Sequence, residues 1–236
     1  MKINAYKYFI FDIEGTVAPI SFVHEVLFPY SKKKLLSYLQ THSINQNLYD
    51  SIEKEYKQDI NTKTYTNKLS NEPELLYDYL SYLISVDRKS PGLKEIQGEI
   101  WKFGYENGEL QSTLYQDTLD FFEKLNSQEK IICIYSSGSV LAQKLIFKYS
   151  NLGDLTKYIS NYFDTAIGFK RDPKSYTNLL NAIQSQPSEA CFFTDIYEEA
   201  LAGNSIGIAC YILKRMGNGA INGSEFSIID NFLDWK

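Results

Sequence analysis

At 236 residues, with 44% hydrophobic and 22% charged residues, the chain has the composition of a globular protein large enough for one domain or a core carrying an insert. A net charge of −5 and the lack of any long Lys/Arg block exclude an electrostatic nucleic-acid surface. Any anionic substrate must then be held by local cations rather than by the overall field.

In chain order, Tyr6 to Asp12 is a short apolar run that ends at a Gly-Thr turn and predicts a buried strand. From about Pro19 to Gln111 the strand signal disappears. Phe22, Val26, Leu27, Leu35, Leu36 and Leu39 fall at helical spacing, as do the runs from Glu74 to Val86 and from Leu93 to Phe103. Pro73 and Pro91-Gly92 punctuate them. Beyond Gln111 the pattern alternates. Strands are expected at Ile131 to Tyr135, Phe163 to Gly168, Ala190 to Thr194 and Ile208 to Leu213. Helices are expected at Val140 to Tyr149, Tyr176 to Ile183 and Glu198 to Asn204. Such alternation indicates an α/β fold, a Rossmann-like parallel sheet core with right-handed crossovers. The helical stretch interrupts it after the first strand. The expected division is a core of residues 1–18 and 112–236 and an inserted, mostly α-helical cap of residues 19–111.

Cys133, Cys191 and Cys210 each sit in an apolar run at no metal-ligand spacing, as small core hydrophobes rather than disulfide partners. The N-terminal stretch lacks a signal-peptide apolar region, and no apolar run approaches membrane-span length. A cytoplasmic chain with neither nucleic-acid nor membrane partners is expected.

In open parallel sheets the site lies beyond the carboxyl ends of the strands. Four features fall there: Asp12-Ile13-Glu14-Gly15-Thr16, then Ser136-Ser137-Gly138-Ser139, then Lys170, then Asp195 with Glu199. Singly each has an ordinary structural explanation, a helix cap, a turn or a solvated lysine; together, in this order and on one edge, they form a constellation. Asp12, Glu14, Asp195 and Glu199 would crowd like charges that oppose one another's ionisation, so the cluster makes sense around a cation. Carboxylate oxygens with open positions for phosphate and water suit Mg²⁺. The metal would shield a carboxylate nucleophile from the phosphate it attacks. A serine hydroxyl with neighbouring backbone N–H groups would grip the transferring oxygens, and Lys170 would add a point charge.

The order DxxGT, S-S-G, Lys and D-xxx-[DE] resembles the four motifs of the haloacid-dehalogenase superfamily. Within it the chain is similar to the enolase-phosphatase family along nearly its whole length. FDIEGT carries Glu14 where most superfamily phosphatases have a second Asp. PISFVHEVLFPY, DRKSPGLKEIQGEIW, IYSSGSVLAQKLIF, FDTAIG and TDIYEEA match as well. The resemblance implies Asp12 as the phosphate carrier and an Mg²⁺ ligand, and Glu14 as acid/base with its main-chain carbonyl on the metal. Asp195 would be a further metal ligand. Ser136, Ser137 and Lys170 would bind the substrate phosphate, and Glu199 would support metal-bound water or Lys170. The reaction implied is enolisation of 2,3-diketo-5-methylthiopentyl-1-phosphate and then dephosphorylation to an aci-reductone, by a monomeric enzyme of methionine salvage. The enolising base is left open among Glu14, Lys170 and metal-bound water. Two positions depart from the family: Phe169 stands where His usually precedes the lysine, and Arg215-Met216-Gly217-Asn218 stands for RPGN.

His24 and the stretch Asp87-Arg88-Lys89 are lesser candidates for substrate contact, each set against ordinary packing or solvation. Rival readings are another small-molecule phosphatase or phosphomutase of the superfamily, a phospho-receiver domain, and a catalytically dead binding module. The receiver is disfavoured because its phosphorylated Asp follows a later strand and it has no cap. The dead module is disfavoured because every reacting position is filled.

Overall fold

The structure is a computed structural model that describes residues 3–86, 88, 90–219, 225–233 and 235. Its sheet is built from β1 (Tyr8–Phe11), β2 (Ile131–Tyr135), β3 (Ile159–Phe163), β4 (Ala190–Thr194), β5 (Ala209–Leu213) and β6 (Ser227–Ile229). All neighbours pair in parallel, in the order β3-β2-β1-β4-β5-β6. β1 is central and wholly buried, which is why its sequence, YFIF, is apolar without alternation.

The period of two sends its side chains to opposite faces. Tyr8 and Ile10 join Cys133, Tyr135 and Phe192 beneath α7 (Pro173–Ala182) and α8 (Tyr197–Asn204). Phe9 and Phe11 face an aromatic cluster instead. Phe11 stacks on Phe193 at 4.8 Å, and Phe121 of α5 (Gln116–Ser127) stacks on Phe232 at 5.0 Å, with Trp235 beside them.

Two compact units emerge, one of Met1–Val23 with Leu110–Lys236 and one of His24–Glu109. The second is helical: α1 (Phe28–Thr41), α2 (Gln46–Thr62), α3 (Pro73–Ser85) and α4 (Pro91–Glu106). It closes on its own apolar core, including Leu35, Ile52, Tyr79, Leu80 and Ile96. Among the described residues no helix is long and apolar enough to cross a membrane.

The α/β architecture with its helical insert is as expected, but one strand is displaced. β3 is Ile159–Phe163, not Phe163 to Gly168. Residues 164–168 form a turn in which Asp164 Oδ1 accepts from Ala166 N and Asp164 O accepts from Ile167 N. β3 lies at the sheet edge with Ser160 exposed, so it lacks the apolar run that marks a central strand. α5 and β6 were not among the expected elements.

Candidate active site

Three central strands end side by side. Phe11 pairs with Ile134 and with Phe193, and Asp12 N donates to Phe193 O at 2.9 Å, so the loops after β1, β2 and β4 start as neighbours. Asp12, Ser136 and Asp195 are the first residues beyond those strands. Each is placed by its strand rather than by a long loop.

Lys170 enters from the segment after β3. Tyr135 Oη donates to Gly168 O (2.9 Å), Ser175 Oγ to Phe169 O (2.8 Å) and Tyr176 Oη to Lys170 O (2.8 Å). The lysine side chain, 6% exposed, sets its Nζ 2.7 Å from Asp12 Oδ1 and 2.6 Å from Glu199 Oε2. Thr194 Oγ1 donates to the same Glu199 oxygen at 2.8 Å. Glu199 lies in the first turn of α8, where a carboxylate is favoured by the helix dipole.

The charges do not balance. Asp12, Asp195 and Glu199 face the single ammonium of Lys170. Burial, chiefly, drives the Asp12 carboxyl well above the ordinary aspartate range, and Glu199 and Asp195 push it the same way against Lys170. Asp195 rises to about 6, from burial first and then from Glu199. Lys170 moves upward: burial opposes its charge, but Asp12 and Glu199 outweigh it.

This excess of buried carboxylate oxygen is what a hard divalent cation would relieve. Among the described residues, no three His, Cys, Asp or Glu side chains close into a metal cluster. Asp12 and Asp195 offer carboxylate oxygens, the donor type that Mg²⁺ prefers.

Gly15 is the pivot of the loop. Its φ is +69°, and a Cβ there would come within 2.4 Å of Asp195 Oδ2. Glu14 is half-buried between Ile13 and this glycine. On the other side, Ser136 Oγ accepts from Gly138 N at 3.3 Å, and Ser139 caps α6 (Val140–Lys148) through Ala142 N. Buried Gln143 holds that turn by donating to Gly138 O (2.9 Å) and Phe163 O (2.8 Å). Gln143, Thr194 and Tyr176 were not singled out from the sequence. They act on backbone or on other side chains, and no local pattern marks them.

The two departures from the family pattern are both solvent positions. Phe169 is 75% exposed while Lys170 turns inward, and Met216 is exposed. In the helical unit His24 is exposed, its ring against Phe28 at 5.7 Å. Arg88 is taken by an ion pair with Asp59, and Asp87 and Lys89 lie outside the described residues.

The family model for haloacid dehalogenase-like hydrolases matches residues 6–207. The enolase-phosphatase E1 of Leptospira borgpetersenii serovar Hardjo-bovis (strain JB197) is 47% identical over 213 residues, covering 90% of this chain and 91% of its own. That of Drosophila yakuba is 40% identical, over 98% and 91%. The chain belongs to the enolase-phosphatase family of haloacid dehalogenase-like hydrolases. It is an enzyme of the phosphatase class, acting on a small-molecule phosphate. The solved UTR4 protein of Saccharomyces cerevisiae superimposes with a TM-score of 0.78 at 34% identity, over 97% of this chain and 99% of that one.

Proposed function

We propose that this chain is the bifunctional enolase-phosphatase of methionine salvage. It enolises 2,3-diketo-5-methylthiopentyl-1-phosphate and then hydrolyses the phosphate ester through an aspartyl-phosphate to give the aci-reductone. The observation that carries this reading is the Asp12 carboxylate at the end of the central strand, buried and paired with Lys170 at 2.7 Å, with the Ser136 turn and Asp195 on the strands either side.

Asp12 attacks phosphorus in line, and the bond from phosphorus to the ester oxygen breaks. Glu14 protonates the departing oxygen, then takes a proton from the water that attacks the aspartyl-phosphate and so returns Asp12 to a carboxylate. Ser136 and Ser137 hold phosphoryl oxygens, and Lys170 offsets their charge while Glu199 keeps the ammonium in place.

Asp12, Asp195 and the main-chain carbonyl of Glu14 are the groups assigned to Mg²⁺. When bound, the cation offsets the repulsion between carboxylate and phosphate and polarises the phosphoryl oxygens. Dialysis against EDTA should abolish turnover and Mg²⁺ should restore it; full activity in EDTA would contradict the assignment. Residues 1–18 and 112–236 are assigned as the catalytic core. Residues 19–111, and so the helical unit, are assigned as the cap that selects substrate. The enzyme is assigned as a cytoplasmic monomer.

The deciding experiment supplies the diketo phosphate with Mg²⁺ and follows enol absorbance and phosphate release together. Enol appearance followed by stoichiometric phosphate is expected. Phosphate release from other esters with no enol from this one would point to a different phosphatase of the superfamily.

A further inference from the structure

The loop that leaves β1 folds its amides onto itself. Thr16 N, Val17 N and Ala18 N all donate to Ile13 O at 3.2, 3.0 and 2.9 Å, and Gly15 N donates to Ala18 O at 2.8 Å. The carbonyls of Gly15, Thr16 and Val17 face elsewhere. Val17 O accepts from Tyr115 N (3.1 Å) and Thr118 Oγ1 (3.3 Å), beside α5. Gly15 O accepts from Asn218 Nδ2 (2.9 Å), and Thr16 O from Arg215 Nε (3.1 Å). The last two donors come from one turn after β5, some two hundred residues away in sequence, closed by Asn218 N donating to Arg215 O at 3.1 Å.

Both donors are themselves held. Asn218 Nδ2 also reaches Leu213 O at 3.1 Å, so its NH₂ spans two carbonyls and the orientation of the amide is dictated by its partners. Its Oδ1 is buried without a partner among the described residues. It lies 3.0 Å from the point where a Cβ on Gly15 would sit, the point that Asp195 Oδ2 approaches to 2.4 Å. Arg215 is buried with its guanidinium over the rings of Tyr115 (4.4 Å) and Phe232 (5.0 Å). Its Nη1 is 2.9 Å from Asp117 Oδ2 and donates to Asp230 O at 3.1 Å. Asp117 Oδ2 in turn accepts from Phe232 N at 2.8 Å. The C-terminal segment, α5 and the β1 loop are thus joined through one side chain.

We propose that Asn218 and Arg215 are positioning residues for the reaction. They fix the Gly15–Thr16 backbone against Asp195 and thereby set the Glu14 carboxyl relative to Asp12. This rests on the roles given to Asp12 and Glu14 above. Donors on two buried carbonyls stabilise the fold wherever they lie. These two carbonyls directly follow Glu14, where a shift of the loop by about 1 Å can cost on the order of 10²-fold in rate.

The test compares Asn218→Ala and Arg215→Lys with Ile208→Val, a core change before the opposite end of β5. Melting temperature, steady-state kinetics on the diketo phosphate and on p-nitrophenyl phosphate, and hydrogen exchange of residues 12–18 in metal-free protein are measured. In Asn218→Ala, kcat should fall by roughly 10- to 100-fold with KM changed less than about threefold. Exchange of the Gly15 to Ala18 amides should accelerate. Arg215→Lys keeps its charge beside Asp117 but loses the Nε donor, and should shift kcat and exchange in the same direction by less. Ile208→Val should lower the melting temperature and leave kcat and loop exchange at wild-type values. If Asn218→Ala only lowers the melting temperature, with kcat and loop exchange unchanged, the pair is a structural stitch and the proposal is wrong. If the wild type fails on the diketo phosphate, the substrate reading falls alone, since loop exchange and p-nitrophenyl phosphate turnover still decide this one.

Discussion

Each of the two units buries an aspartate, and the two are treated in opposite ways. In the helical unit Asp59 is saturated. It accepts from Arg88 Nη1 with both oxygens at 2.6 Å, from Tyr79 Oη at 2.7 Å and from Thr64 Oγ1 at 3.1 Å. Burial works against its charge, yet the bonds from Arg88, Tyr79 and Thr64 outweigh it and hold the carboxyl below the ordinary range. In the α/β unit Asp12 shares one lysine with Glu199, lies near Asp195, and is driven the other way, chiefly by burial. A carboxylate that serves folding has its donors supplied by the protein. One kept short of donors, at the end of a rigid central strand, is left for an external partner, which in the function proposed above is the phosphate and its cation.

The sharpest way to break this contrast is to neutralise each aspartate. Asp12→Asn should leave less than about a hundredth of wild-type phosphate release, against enzyme accelerations of roughly 10⁶-fold or more, because an amide does not attack phosphorus. Its melting temperature should hold or rise, since an unbalanced buried charge is removed. A large fall in stability with activity retained would reverse the roles.

Glu14→Gln should lower turnover of the diketo phosphate by roughly 10²–10⁴-fold, the usual range for general acid–base catalysis. With p-nitrophenyl phosphate, whose leaving group needs little protonation, phosphoenzyme formation should fall far less and its hydrolysis should become slow. Equal losses in formation for both esters, read from burst amplitudes, would remove Glu14 as the acid.

Asp59→Asn should do the converse: cost about 1–3 kcal/mol, as expected when a buried, hydrogen-bonded group loses its charged partner, and leave kcat unchanged at temperatures well below melting. Calorimetry and kinetics on the same sample would separate the two effects.

The smallest effect is in pH. Asp59's folded pKa is lowered, so its contribution is fully present above the unfolded value of about 3.9 and is lost as pH falls through the folded pKa. Stability of the wild type should therefore decline on acidification below about pH 4. The decline should be shallower in Asp59→Asn, as read from urea midpoints at each pH. Parallel profiles would mean that the Arg88 pair contributes nothing.

What was legible in the sequence follows the same division. β1, β2 and β4 are buried on both faces, so they appear as unbroken apolar runs, and each ends directly at Asp12, Ser136 or Asp195. β3, ISNYF at the edge, is broken by Ser160 and Asn161, so no unbroken apolar run marks it. β6 is three residues long, too short for a periodic pattern. α5 did carry one, with Thr118, Phe121, Phe122 and Leu125 buried at helical spacing. Lys170 and Glu199 could be picked out by their order behind the strands. Arg215 and Asn218 stood in the sequence as part of a family string, but their role did not, because their partners are carbonyls that no side chain betrays.

The central claim is that Asp12 carries the phosphoryl group. It is tested most directly by acid-quenching the Glu14→Gln enzyme during turnover with Mg²⁺ and sequencing its peptides by mass spectrometry. A peptide one phosphoryl group heavier, modified at Asp12 and decaying as phosphate appears, is the expected result. Phosphate released with no acyl-phosphate on any peptide, or with the group on Asp195 instead, would contradict it.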